Sequence, residues 1–413
     1  MNLLAVIDAT SIDAPNGPAT QIAGLSLIER TVRLASVCGA DELVILVPPD
    51  EIQPQWGDRL HRQSQIPVSI ASANAKSAST ERSFDAIAIL DAGAVYDRGL
   101  VSKTFGILDS SCPGEVQRTA RSHLIVTRLH TSRNNLVPGR DLAKLQNQAS
   151  PTLSGGWIIS IDSAEAVDRA TRRLWQACRK ADDGLVARYL NRHISIGLSR
   201  ILAPTEIHPN HVTAVTFVLG VAAALAAARG EYAGFLIAGI LYQLNSIIDG
   251  VDGELARVRY QFSVRGEWLD TISDDLADLL MYIGLGIGAW LTLSDAPGPW
   301  GNQLWLFLGI GAAVGKVASM AVYYRWLIAH GRGDLLAFQW SFEDESANGG
   351  PIARVLSVTR YFFRKDFIVF TAFVFALAGF LPHLLFALAP GNLIVALSAL
   401  LQQVRASGAS PSD

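Results

Sequence analysis

The chain has 413 residues, of which 50% are hydrophobic and 17% charged, with a formal net charge of -3. That balance is too apolar for an ordinary soluble protein and too long for one small domain, and it gives no basic surface or arm for nucleic acid. Three cysteines, Cys38, Cys112 and Cys178, lie too far apart for a zinc site or a disulfide framework and fit a reducing, cytoplasmic front half.

From Met1 to about Lys180, short apolar runs alternate with helical stretches, which predicts a soluble α/β domain. Leu3 to Asp8, Leu43 to Val47, Ala86 to Leu90, Leu124 to Thr127 and Trp157 to Ile161 are the expected strands. Between the first two, Ser26 and Glu29 have capping-box spacing, Ile28, Val32 and Ala35 share a face, and Gly39 supplies a stop. A strand, helix, strand unit follows. Ser69 to Thr80, rich in Ser and Ala, reads as a surface loop. No basic residue precedes Arg30, and the apolar run at Leu3 to Ile7 is too short for a signal-peptide core, so membrane entry is expected from internal spans.

Residues 181–210 are expected to form a juxtamembrane interfacial helix bearing Arg188, Arg192 and Arg200. Beyond it, apolar stretches of about 20 residues, enough to cross a hydrocarbon core roughly 30 Å thick, predict six spans within 211–405. Their limits are 211–228, 232–257, 266–292, 303–329, 365–381 and 384–403, with 406–413 as a disordered tail. Arg257, Arg259, Arg265, Arg325, Arg332, Arg354, Arg360, Arg364, Lys365 and Arg405 gather on the side of the juxtamembrane arginines, and only Arg229 lies opposite. The positive-inside rule then puts both termini and the α/β domain in the cytoplasm.

The chemistry concentrates between the second and third spans. Asp249 and Asp252 are three residues apart, Asp270 and Asp274 four apart, so each pair occupies one helical face, and a turn near 258–265 would bring the faces together. Converging carboxylates in a membrane repel one another strongly unless cations compensate. Oxygen ligands without His or Cys suit two Mg²⁺ (or Mn²⁺) ions, which can clamp a diphosphate while a remaining carboxylate takes a proton from an attacking hydroxyl. A transporter or noncatalytic scaffold with buried ion pairs is the competing reading; it accounts for one or two such acids rather than four.

Asp249, Asp252, Gly253, Ala256, Arg257, Gly266, Asp270 and Asp274 together resemble the full signature of the CDP-alcohol phosphotransferase family, and Pro209, Asn210 and Thr213 extend the likeness. The resemblance implies that Asp249, Asp252 and Asp270 ligate the metals. It implies that Asp274 is the general base on the same metal cluster, and that Gly253, Ala256, Arg257 and Gly266 shape the CDP pocket. It also implies six helices in a homodimer, a CDP-alcohol donor such as CDP-diacylglycerol or CDP-inositol, and a hydroxyl acceptor such as an inositol phosphate. Outside that signature, Lys316 sits in the fourth span and is expected to pair with Asp275 or Asp278. Arg360, Arg364 and Lys365 either anchor the fifth span or face an acceptor phosphate. Gly284 with Gly288 and Gly311 with Gly315 have spacing for close helix contacts.

In the front half, Gly24 to Val47 and Asp85 to Leu100 are similar to sugar-nucleotide and inositol-phosphate nucleotidyltransferases. The order of domains, with Asp182 to Ser195, resembles bifunctional enzymes that make CDP-inositol in front and di-inositol phosphates in the membrane half. Asp8 to Ala23, however, lacks the Gly-rich basic loop that such enzymes use to hold a triphosphate, offering only Thr10, Ser11 and Gly17, and Gly93 stands where a second acid is often found. The expectation is a nucleotidyltransferase-like domain, degenerate in activity, in which Asp91 is structural.

Overall fold

The computed structural model describes residues 1–48, 60, 64, 66–108, 111, 113, 115–119, 123–148, 150–151, 155–180, 183–293, 299–333 and 364–408. Cys112, Arg354 and Arg360 lie outside the described residues. The chain divides into two units, the first comprising Met1–Cys178 with Ala203–Thr205 and Arg257–Gln261, the second comprising the remainder.

In the first unit, the buried runs of the sequence become the middle of a seven-stranded mixed sheet. Leu3–Asp8 lies in its interior, parallel to Glu42–Val47 on one side and to the central strand Ala78–Asp91 on the other. Leu4, Val6, Val44, Leu46, Ile87 and Ile89 form the core on one face of these strands. The connecting helix Leu27–Val37 has the full capping box between Ser26 and Glu29. Gly39 follows it with φ 107°, the left-handed backbone that glycine accepts at a helix end. Antiparallel Leu124–Leu136 extends the sheet beyond Ala78–Asp91, and Ile158–Ser160 pairs with Ala94–Tyr96 in a separate two-stranded ribbon.

The stretch expected to loop out at Ser69 to Thr80 behaves differently. Val68–Ser72 pairs in parallel with Glu42–Val47, and Ala78 already begins the long strand, so only the intervening turn is irregular. Edge pairing supplies what its composition lacks: a strand at the margin of a sheet satisfies its backbone through one neighbour and needs little apolar side chain.

Arg30 is buried at 1% exposure, yet its guanidinium donates to Val258 O at 2.7 Å and to Ile22 O, and lies 5.5 Å from the centroid of the Tyr260 ring. Burial pulls its pKa down, while the carbonyls and the ring face compensate the charge. Segment 257–261 is thereby built into the first unit's core.

Among the described residues of the second unit, five helices are long and apolar enough to cross a membrane: Pro209–Arg229, Glu231–Arg259, Val264–Thr292, Gln303–Ala329 and the stretch Leu381–Leu401. The fifth expected span instead forms the helix Lys365–Leu377, about 20 Å long at the standard rise, ending before Gly379 at φ 81°. Glycines make the closest helix contacts. A Cβ on Gly284 would lie 2.4 Å from Ala224 O and one on Gly288 1.9 Å from Ala227 O, so these positions seat the Val264–Thr292 helix directly on the Pro209–Arg229 helix. Gly315 meets the backbone at Asn392 in the same way, whereas Gly311 makes only ordinary contact with Ala389.

Candidate active site

Two long helices carry the signature acids. Glu231–Arg259 holds Asp249 and Asp252, Val264–Thr292 holds Asp270 and Asp274, and the short connection between them folds the two faces toward each other. Ser263 fixes the start of the second helix by accepting from Gly266 N at 3.0 Å. A Cβ at Gly266 would stand 2.9 Å from Ser263 Oγ and 3.2 Å from Asn210 Oδ1, which makes a small residue necessary there.

Asp249, Asp270 and Asp274 each present one carboxylate oxygen, and the three oxygens lie within 4.8 Å of one another. Asp249 Oδ1 is buried and has no hydrogen-bond partner among the described residues. Three acids at that separation, with an unsatisfied buried oxygen among them, fit a divalent cation with oxygen ligands. Asp252 stands beside this trio rather than within it: its Oδ2 accepts from Thr213 Oγ1 at 2.6 Å, and its Oδ1 from Gly253 N. Thr213 thus couples the Pro209–Arg229 helix to the site. Arg257 follows Gly253 by one turn, and its Nε is buried without a hydrogen-bond partner among the described residues.

Cations flank the acids. Lys365 Nζ lies 2.7 Å from Asp274 Oδ2 and 3.7 Å from Asp278 Oδ1. Lys316 is paired as expected, at 2.8 Å from Asp275 Oδ1 and 3.3 Å from Asp278 Oδ2. Tyr242 donates to Asp278 at 2.6 Å, while Tyr323 and Tyr324 donate to Asp275. Asp275 and Asp278 therefore have partners from within the protein, which separates them from Asp249.

Glu254 is absent from the sequence reading and central to the structure. Fully buried, it accepts from Arg192 Nη1 at 2.8 Å, Ser195 Oγ at 2.7 Å and Ser199 Oγ at 2.6 Å. Arg192 also grips Asp183 through Nε and Nη2, at 3.1 and 3.0 Å. Burial disfavours the charge on Arg192, but its hydrogen bonds to Asp183 and Glu254 outweigh that and hold its pKa above the usual range. This network fixes the helix Arg192–Leu202 against the residue next to Gly253. Ser195 and Ser199, spaced four apart opposite an acid in an apolar helix, were the available signal.

Residues 206–401 match the family model described as CDP-alcohol phosphatidyltransferase, so the C-terminal region carries that domain. A bifunctional IPC transferase and DIPP synthase from Thermococcus kodakarensis is 37% identical over 39% of this chain and 34% of its own length. The protein of the same name from Archaeoglobus fulgidus is 34% identical over 35% of this chain and 29% of its own. An archaetidylinositol phosphate synthase from Pyrococcus horikoshii is 30% identical over 22% of this chain and 47% of its own. The chain spans about a third of the length of the bifunctional relatives it matches. Among solved structures, a UDP-glucose pyrophosphorylase overlaps 43% of this chain at 11% identity and a TM-score of 0.28, a level that carries no weight for fold or function.

Proposed function

We propose that the CDP-alcohol phosphatidyltransferase domain at residues 206–401 moves a substituted phosphate from a CDP-alcohol to a hydroxyl acceptor and releases CMP. The observation that carries this reading is the Asp249, Asp270 and Asp274 trio with its unsatisfied buried oxygen. Inositol-containing substrates are favoured by the names of the relatives, with CDP-diacylglycerol or CDP-inositol as donor and an inositol phosphate as acceptor. The product is a phosphodiester.

Asp249, Asp252, Asp270 and Asp274 would hold two Mg²⁺ ions, which when bound neutralise the diphosphate and the charge that develops on the leaving CMP. Asp274 accepts the acceptor's hydroxyl proton as the oxygen attacks the β-phosphorus and the bond to CMP breaks. Thr213 holds the Asp252 carboxylate in orientation, and Lys365 offsets charge at Asp274. Gly253, Ala256, Arg257 and Gly266 shape the CDP pocket. Six spans in a homodimer, the fifth of them the shorter helix Lys365–Leu377, with both termini and the α/β domain cytoplasmic, complete the reading. The deciding assay mixes purified full-length protein with Mg²⁺, CDP-diacylglycerol or CDP-inositol, and inositol phosphates, and identifies the product by mass. Absence of CMP release across that panel, with folded protein, overturns it.

The bifunctional relatives raise a second reading, in which the front domain also makes CDP-inositol. The engagement of Asp91 argues against it: its Oδ1 accepts from Gly93 N at 2.7 Å and its Oδ2 lies 2.7 Å from His123 Nδ1, so both oxygens have partners within the protein. Pyrophosphate release from CTP and inositol phosphate by the full chain would restore that second activity.

A further inference from the structure

The engagement of Asp91 continues one residue further. His123 Nδ1 lies 2.7 Å from Asp91 Oδ2, and its other ring nitrogen, Nε2, lies 2.8 Å from Ser160 Oγ. An ionised carboxylate can only accept, which puts the ring proton on Nδ1 and leaves Nε2 to accept the Ser160 hydroxyl proton. From this geometry we propose that Ser160, His123 and Asp91 form a second catalytic centre, an acyl-transfer triad that hydrolyses an uncharged carboxylic ester.

The three residues come from separate segments and share one backbone frame. Asp91 ends the strand Ala78–Asp91, and its N–H donates to His123 O at 3.0 Å just before the strand Leu124–Leu136. Ser160 ends the strand Ile158–Ser160, in register with Ala94, and Ile161 N donates to Gly93 O at 2.8 Å. The buried Tyr96 hydroxyl sits 2.8 Å from Asp91 O and 2.7 Å from His123 O, pinning the main chain beneath acid and base together. A nucleophile bonded to its base, and a base oriented by a carboxylate, is the arrangement by which a neutral hydroxyl becomes reactive.

Its place in the fold also suits a site. The triad lies at the carboxyl end of the central parallel strands, where open α/β sheets bind ligands. The side chain of His123 is 14% exposed and that of Asp91 34%, so the centre is open to solvent without being a surface contact. Asp8 lies in register with Asp91 on the neighbouring parallel strand, and its carboxylate disfavours a phosphorylated or otherwise anionic substrate. An uncharged ester remains.

In the reaction, Ser160 Oγ attacks the ester carbonyl as its proton passes to His123 Nε2. The ester C–O bond breaks, and the departing alcohol takes that proton, leaving acyl-Ser160. Water then attacks the acyl carbon, gives a proton to His123, and releases the carboxylic acid as Ser160 recovers its hydrogen.

The test treats detergent-solubilised full-length protein with a fluorophosphonate probe, maps the adduct by peptide mass, and follows p-nitrophenyl butyrate hydrolysis in parallel. The expected result is an adduct on Ser160, no labelling or hydrolysis in Ser160→Ala, and a loss of about 100-fold or more in His123→Gln. Asp91→Asn, which preserves volume, is expected to lose at least about tenfold, and Ser160→Cys to be alkylated by iodoacetamide only while His123 is present. A folded wild-type protein without an adduct on Ser160, or hydrolysis that survives Ser160→Ala, overturns the proposal. A purely structural hydrogen-bond network predicts that overturning result.

Discussion

Asp91 and Asp249 each belong to the candidate site of their own unit, and they differ in how their carboxylates are satisfied. Both oxygens of Asp91 have partners supplied by the chain, one a backbone amide and the other a histidine. Asp249 keeps a buried oxygen with no hydrogen-bond partner among the described residues, facing two further acids. A carboxylate completed by protein groups is prepared to orient a neighbour, whereas a buried oxygen left incomplete suits a cation. The same residue type therefore marks a protein-only network in one unit and a candidate metal site in the other.

Replacing the acids of the candidate metal site should show the largest effects. Asp249→Asn and Asp270→Asn are expected to abolish CMP release, and Asp274→Asn to lower kcat by about 10²- to 10⁴-fold, with protein still eluting as a single species. CMP release at the wild-type rate in Asp270→Asn would collapse the contrast with Asp91. Chelation should have the same sharp effect on transfer, reversed by added Mg²⁺, and should leave the labelling of Ser160 unchanged.

The next effect concerns acids that the protein does complete. Arg192→Leu leaves Glu254 buried with only two serine hydroxyls, and a broken buried pair of this kind costs about 3–5 kcal/mol. The expected outcome is a clear fall in Tm in detergent, and an unchanged Tm would show that the network contributes nothing. Packing should respond less. Gly288→Ala places a methyl 1.9 Å from Ala227 O in rigid backbone, and an overpacked helix contact of this type is expected to cost about 1–3 kcal/mol.

The smallest expected effect is on acid stability. Burial alone would raise the Asp183 pKa, but hydrogen bonds and charge from Arg192 outweigh it and hold the pKa below the usual carboxylate value. A lowered folded-state pKa gives stability that is present above the ordinary carboxylate pKa and is lost as pH falls through the depressed one. Asp183→Asn should therefore lower Tm at neutral pH and flatten the acid limb of the stability curve, the difference from the wild type closing as pH falls.

The signature acids were legible because their spacing is local: three or four residues on a helix fix a shared face before any packing is known. The capping box at Ser26 and Glu29 was legible for the same reason. Local patterns gave less at Val68–Ser72, where an edge pairing overrode a loop-like composition, and at Lys365–Leu377, where an apolar run folded as a shorter helix. Glu254 looked like one more polar residue near the motif, and its role depends on Ser195, Ser199 and Arg192, more than fifty residues earlier.

By itself, then, the sequence determined the two-part organisation, the inner strands of the large sheet and the acids of the candidate site, since each is written in short-range periodicity or spacing. Tertiary structure alone decided which acids are completed by the protein and which are not. It alone brought His123 and Ser160 to Asp91, because a hydrogen bond between residues thirty or more apart is set by strand register and leaves no periodic trace in the chain.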